Sequence, residues 1–289
     1  MLTPAAVRAL LDEHALAAKK SLGQNFLADA NTARRIVTLA DLPAAGRVLE
    51  IGPGLGSLTL ALVERGHRVV AVELDARLAD ALASVLTAAG VGDAVAVTVG
   101  DALTVPLDEL LASAGHTDDT DDAEDWSSVS NLPYNVAVPV VVRILETVPR
   151  VRRLLVMVQR EVGERLAAGP GDEQYGAVSV KVHYFAEAEV VGVVPPTVFV
   201  PRPKVDSVLV RLRRRATPAV SVPSVDDLFA LVRAGFAQRR KMLRRSLLPV
   251  LGPRTVPVLE AAGVAPTARA EELSIGDWAA VSRGMASAA

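Results

Sequence analysis

One stretch constrains this chain more than any other: Val48-Leu49-Glu50-Ile51-Gly52-Pro53-Gly54-Leu55-Gly56-Ser57-Leu58-Thr59-Leu60. An apolar run gives way to glycines and then to apolar residues at helical spacing, which predicts a buried strand, a tight turn and a helix. Glycines at 52, 54 and 56 leave no Cβ between backbone and ligand, and the following helix offers free N–H groups at its first turn. The spacing is G-x-G-x-G, not the dinucleotide fingerprint G-x-G-x-x-G, whose third glycine would fall at Ser57. Such a hinge predicts an α/β sheet built around a nucleotide-like ligand.

The next elements agree. Helix 58–65 leads to a second buried strand, Arg68 to Asp75, which carries Glu73 near its end. Glu73 lies 21 residues beyond Gly52, close to the ~20 at which an acid meets ribose hydroxyls in such units. Asp75 reads better as the N-cap of helix 76–89. A third strand, 94–99, ends in Gly100-Asp101-Ala102; Asp101 is therefore either a ligand to an adenine amino group or a turn former. A further strand runs into Ser130-Asn131-Leu132-Pro133-Tyr134-Asn135, where proline stiffens a strand terminus bearing an amide and an aromatic ring.

Composition excludes several chemistries. Cys is absent, so there are no disulfides, thiolate metal sites or cysteine nucleophiles, and the four His show no metal-ligand spacing. No apolar run reaches the ~18–20 residues of a membrane span, and acids stand near the N-terminus where a secretory leader needs a basic and then an apolar segment. The expectation is a soluble, cytoplasmic monomer without metal. The net charge of −2 hides a segregation: residues 1–142 hold 9 Lys and Arg against 19 Asp and Glu, whereas residues 143–289 hold 22 against 14. A basic half points to a polyanionic partner.

Among the remaining segments, Thr3-Pro4 opens an amphipathic helix to about Leu16, and Asp29 or Asn31 caps another to about Leu42. Between them Lys19 to Leu27 has the composition of a binding loop. The acidic stretch from Leu107 to Trp126 reads as a solvated loop. Strand 153–159, helix 160–168, a Gly-rich loop at 169–176 and strand 187–194 follow. Pro195 to Val205 must be extended, and its Phe199, Arg202 and Lys204 can line a site. Strand 206–214 should pair with 187–194, and 217–225 is a linker. Asp226 to Leu248 is then a helical region bearing Arg233, Arg239, Arg240, Lys241, Arg244 and Arg245, a face suited to phosphate. Helices at 255–262 and 274–287 close the chain, with Trp278 in their core. The expected domains are 1–216 and 217–289.

Glu50 two residues before the first glycine gives the turn a resemblance to motif I of S-adenosylmethionine-dependent methyltransferases. Together with Gly-Gln-Asn-Phe-Leu at 23–27, Asn-Leu-Pro-Tyr-Asn at 131–135 and Pro-Pro-Thr-Val-Phe-Val-Pro-Arg-Pro-Lys-Val-Asp-Ser at 195–207, nearly the whole chain resembles the ribosomal RNA adenine dimethyltransferase family, on its small-subunit side. The acidic segment around 115–125 looks like an insertion in that pattern. The resemblance implies a class I methyltransferase fold, a Rossmann-like, seven-stranded, mostly parallel sheet, with a small all-helical C-terminal domain. It implies S-adenosylmethionine held by Asn25, Leu27, Gly52, Gly54, Glu73, Asp101 and Asn131. The implied partner is 16S ribosomal RNA in an assembling small subunit, with two methyl groups placed on each of two adjacent adenines. Asn131 with the Leu132 or Pro133 carbonyl would accept from the exocyclic amine, Tyr134 would stack on the base, and Phe199 is either a second wall or a core residue. Three other readings remain: a large-subunit adenine methylase, an assembly factor with a vestigial pocket, and a nicotinamide-dependent dehydrogenase, against which Ser57 and the lack of a proton-relay pair argue.

Overall fold

The computed structural model describes residues 2–16, 24–114 and 125–287. Most of the loop expected at 19–27 and the acidic segment at 115–124 lie outside these. The strands are β1 (Phe26–Leu27), β2 (Arg47–Ile51), β3 (Arg68–Glu73), β4 (Val95–Val99), β5 (Trp126–Asn131), β6 (Val151–Gln159), β7 (Ala186–Val194), β8 (Phe199–Val200) and β9 (Ser207–Arg214). Seven form one sheet in the order β4-β3-β2-β5-β6-β9-β7. The pairs from β4 through β6 are parallel, and β9 runs antiparallel to β6. The expected neighbourhood of β7 and β9 is present.

The central strands β2 and β3 are mostly apolar and buried because helices cover both faces of the sheet there. Val48, Val69, Ala71, Val129, Leu155 and Met157 pack with Ile36 and Val37 of helix Ala30–Leu39 and with Leu58 and Leu62 of helix Ser57–Glu64. Leu78, Leu82, Val85 and Leu86 of helix Ala76–Ala89 pack with Val7 and Leu11 of helix Pro4–Glu13. Local capping starts the helices where the sequence predicts. Thr3 accepts from Ala6 N–H, Asp29 from Thr32 N–H and Asp75 from Arg77 N–H.

Three expectations need correction. The stretch after Pro106 forms helix Leu107–Ala114, because Leu107 and Leu111, one turn apart, are both buried. The region 226–248 is not one helix: Val225–Ala237 ends at Gln238, and short helices Leu243–Ser246 and Leu248–Leu251 follow. Between them Met242 bridges to Arg269, and Leu243 N–H donates to the Ala268 carbonyl. Finally, the chain divides into units of residues 1–163 with 189–214, and 164–188 with 215–289, not at a single boundary near 216. Segment 164–188 joins the helical unit because Tyr175, Val180 and Tyr184 share a core with Phe229, Leu243, Leu259 and Trp278. The Tyr175 hydroxyl donates to the Leu273 carbonyl at 2.8 Å, tying that segment to the end of the chain.

Candidate active site

At the carboxyl ends of β2, β3 and β5 a pocket is lined by Asn25, Phe26, Leu27, Glu50, Gly52, Gly54, Glu73, Asn131, Leu132, Pro133 and Tyr134, among others. Parallel strand ends converge there, and side chains that leave the sheet at the turns face one crevice.

Its floor is the glycine turn. Gly52 and Gly54 have φ of +67° and +56°, a left-handed conformation that disfavours other residues. A Cβ on Gly54 would stand 3.1 Å from the Phe26 ring. Ser57, where a dinucleotide fingerprint has glycine, donates its hydroxyl to the Leu27 carbonyl and so ties the turn to β1. Glu73 is 5% exposed, with one carboxylate oxygen accepting from Gly54 N–H at 3.0 Å and the other from Asp75 N–H at 3.1 Å. Burial pushes its carboxyl up, while the backbone N–H groups of Asp75, Gly54 and Leu74 hold it down. Each oxygen retains lone-pair capacity, so the group fits a pair of vicinal hydroxyls. A bare cradle at Gly52 and Gly54 beside such an acceptor fits a nucleoside.

Glu50 is fully buried and accepts from Thr59 Oγ1 at 2.7 Å. Burial raises its carboxyl to about 8, against the Thr59 hydrogen bond and with a further contribution from the Glu73 charge. A cationic ligand beside it would favour its ionised form.

The opposite chemistry sits on Asn131 to Tyr134. Asn131 Nδ2 donates to the Asn25 carbonyl at 3.1 Å. Only the amide nitrogen can make that bond, so the arrangement orients Oδ1 as the remaining acceptor. The Pro133 carbonyl already accepts from Val136 N–H, which leaves the Leu132 carbonyl as the better second acceptor. The Tyr134 hydroxyl shares a 3.1 Å hydrogen bond with Ser207 Oγ at the start of β9. Burial raises the Tyr134 phenol, so the ring stays neutral.

Two expected residues stand elsewhere. Phe199 is 3% exposed and packs with Leu27, Val129, Met157 and Leu209, which makes it a core residue of the β1–β8 pair and not a pocket wall. Asp101 is exposed, outside the pocket lining, and accepts from Leu103 N–H at 2.8 Å as a turn former. In the helical unit, the basic residues do not share one helix face. Arg233 lies on helix Val225–Ala237, whereas Arg239, Arg240 and Lys241 lie in the break and Arg244 and Arg245 on the short helix after it. All six are exposed, and Arg239 is ion-paired with Glu271 at 2.7 Å. Ser207 and Phe26 are the residues that sequence reasoning named without giving them a part. Their signal was position inside the quoted motifs.

Among the described residues no group of His, Cys, Asp or Glu is arranged to share a metal ion, and no helix is long and apolar enough to cross a membrane. The model of the ribosomal RNA adenine dimethylase family matches residues 15–286. The ribosomal RNA small subunit methyltransferase A of Cutibacterium acnes is 46% identical over 296 residues, covering 100% of this chain and 95% of the relative. The 23S rRNA methyltransferase ErmE superposes with a TM-score of 0.65 at 28% identity, covering 91% of this chain and all of that one. A dimethyladenosine transferase from Plasmodium falciparum has the same fold, with a TM-score of 0.72 at 23% identity over 89% of this chain and 95% of the other. With the family model spanning nearly its full length and such a relative matching end to end, this chain belongs to the ribosomal RNA adenine dimethylase family.

Proposed function

We propose that this protein dimethylates the exocyclic amines of two adjacent adenosines near the 3′ end of 16S ribosomal RNA, acting on assembling small subunits with S-adenosylmethionine as donor. The bond from Asn131 Nδ2 to the Asn25 carbonyl carries the reading, because it aims an amide oxygen at a pocket whose floor suits a nucleoside. Asn25, Leu27, Gly52, Gly54, Glu73 and Asn131 would hold the donor. When bound, S-adenosylmethionine supplies a methyl group made electrophilic by its sulfonium.

An adenine amine is a poor nucleophile because its lone pair is delocalised into the ring. Asn131 Oδ1 and the Leu132 carbonyl accept its two N–H bonds and localise that pair. Tyr134 stacks on the extruded base, an interaction worth ~1–3 kcal/mol. Positioning supplies the acceleration, and the released proton passes to water, so no acid–base pair is required. The exposed Arg233, Arg240, Lys241, Arg244 and Arg245 of the helical unit form the docking surface for RNA phosphates. The relative's small-subunit name and its identity along the full chain favour this substrate over large-subunit RNA.

The test incubates the protein and tritiated S-adenosylmethionine with undermethylated small subunits, mature small subunits and large subunits, followed by nucleoside analysis. Dimethyladenosine confined to undermethylated small-subunit RNA is expected. Label in large-subunit RNA would move the substrate there, and cofactor binding with no transfer would leave an assembly factor.

A further inference from the structure

Residues 201–206 join two pieces of the pocket. Upstream, Val200 of β8 pairs with Phe26 of β1, whose ring lines the cleft. Downstream, Ser207 holds the hydroxyl of Tyr134, another lining residue. An extended chain advances at most ~3.6 Å per residue, so Arg202 lies within ~7 Å of the first anchor and Lys204 within ~11 Å of the second. Pro201 and Pro203 restrict the backbone between them. Arg160 fixes the far end, donating from its N–H to the Asp206 carbonyl at 3.1 Å and from its guanidinium to the Asp206 carboxylate at 2.8 Å.

That ion pair uses the segment's one acid. Arg202 and Lys204 are exposed and have no ion pair with any described residue. Other arginines of the same unit do have one: Arg34 with Glu64, Arg150 with Asp108, Arg211 with Glu189 and Arg213 with Asp41. Two unneutralised cations are thus carried on a stiff segment whose ends are both attached to the pocket. A base drawn out of its stack into that pocket brings its flanking phosphodiesters to the rim, where a guanidinium and an ammonium are suited to meet them.

We infer that residues 201–206 form a phosphate-gripping strap, in which Arg202 and Lys204 hold backbone phosphates flanking the extruded adenosine. The inference rests on the function proposed above. Its test compares wild type with the double variant Arg202→Gln, Lys204→Gln and with the conservative Arg202→Lys, Lys204→Arg. Measured are S-adenosylmethionine affinity, KM and kcat on undermethylated small subunits, and the salt dependence of binding to a single-stranded RNA carrying the target sequence. Loss of two single-strand phosphate contacts should flatten the log–log salt slope by about 1.4, at about 0.7 each. KM should rise severalfold, cofactor affinity should not change, and the conservative variant should retain the wild-type slope. A wild-type slope and KM in the Gln variant would overturn the strap, as would an equal loss of cofactor affinity. Wild-type protein that transfers no methyl to RNA would instead overturn the proposed function, and the strap with it.

Discussion

The glycine turn and Glu73 shape one part of the pocket with backbone groups close in sequence, whereas Asn131 and Tyr134 are oriented by partners far along the chain. Gly54 and Glu73 are 19 residues apart, but Asn131 and Asn25 are separated by 106 and Tyr134 and Ser207 by 73. The first region is completed by a single strand–helix–strand unit. The second exists only once long loops have closed, so Glu73 should be read out in cofactor affinity and Tyr134 in turnover, with Asn131, which would meet both donor and base, in both.

The largest effect should come from Glu73→Ala. It leaves the N–H groups of Gly54 and Asp75 without their acceptor in a buried place, at ~1–3 kcal/mol each, and removes the ribose ligand. Cofactor affinity should fall at least ~100-fold and methylation with it, while sedimentation with small subunits stays unchanged. Loss of particle binding as well would break the separation between the two regions.

Tyr134→Ala should act on the other side of the comparison. Loss of stacking worth ~1–3 kcal/mol predicts turnover reduced about 5- to 150-fold with cofactor affinity held, and equal losses in both would sink the stacking role. Ser207→Ala removes only the hydrogen bond that orients the ring, so about a fivefold loss is expected. Tyr134→Phe should match it, and the double variant Tyr134→Phe, Ser207→Ala should be no worse than either.

Smaller still are single substitutions among the basic residues 239–245. Arg240→Ala or Arg244→Ala should weaken particle binding a few-fold and flatten its salt slope by about 0.7–0.9. Arg239→Ala should not, because Arg239 is already paired with Glu271 and donates to the Glu173 carbonyl; it should lower thermal stability instead. Equal slopes for Arg239 and Arg240 variants would return all six cations to one docking face.

The same contrast governs what was legible in the residues. The strands flanking the glycine turn, the caps at Thr3, Asp29 and Asp75, and the approach of Glu73 to the turn all follow from local pattern and short spacing. Phe199 and Asp101 did not, because whether a motif residue faces a ligand depends on what packs behind it: for Phe199 that is Leu27, from the far side of the sequence. The break at Gln238 was invisible for a similar reason. Its backbone bonds go to Ala268 and Arg269, and helical periodicity carries no trace of them. Segment 164–188 lies between the end of β6 and the first residues of β7 in the chain but takes its core partners from residues beyond 215.

A last comparison separates the two carboxyls of the cofactor region. Burial raises both carboxyls, but backbone N–H groups oppose it at Glu73, whereas Glu50 has one opposing hydroxyl and is raised to about 8. Below about pH 4.5 both folded and unfolded chains keep the Glu50 proton, and it does not affect stability. From there to about pH 8 the unfolded chain releases that proton while the folded chain retains it, so stability falls as pH rises and then levels. Glu50→Gln keeps an acceptor for Thr59 and has no proton to lose. The variant should therefore lose fewer degrees of Tm than wild type between about pH 5 and pH 8, with the difference growing across that window. Saturating S-adenosylmethionine should shrink the difference, because a bound cation stabilises ionised Glu50 and offers nothing comparable to Gln. Parallel melting curves for the two proteins would mean that Glu50 is ionised in the folded chain.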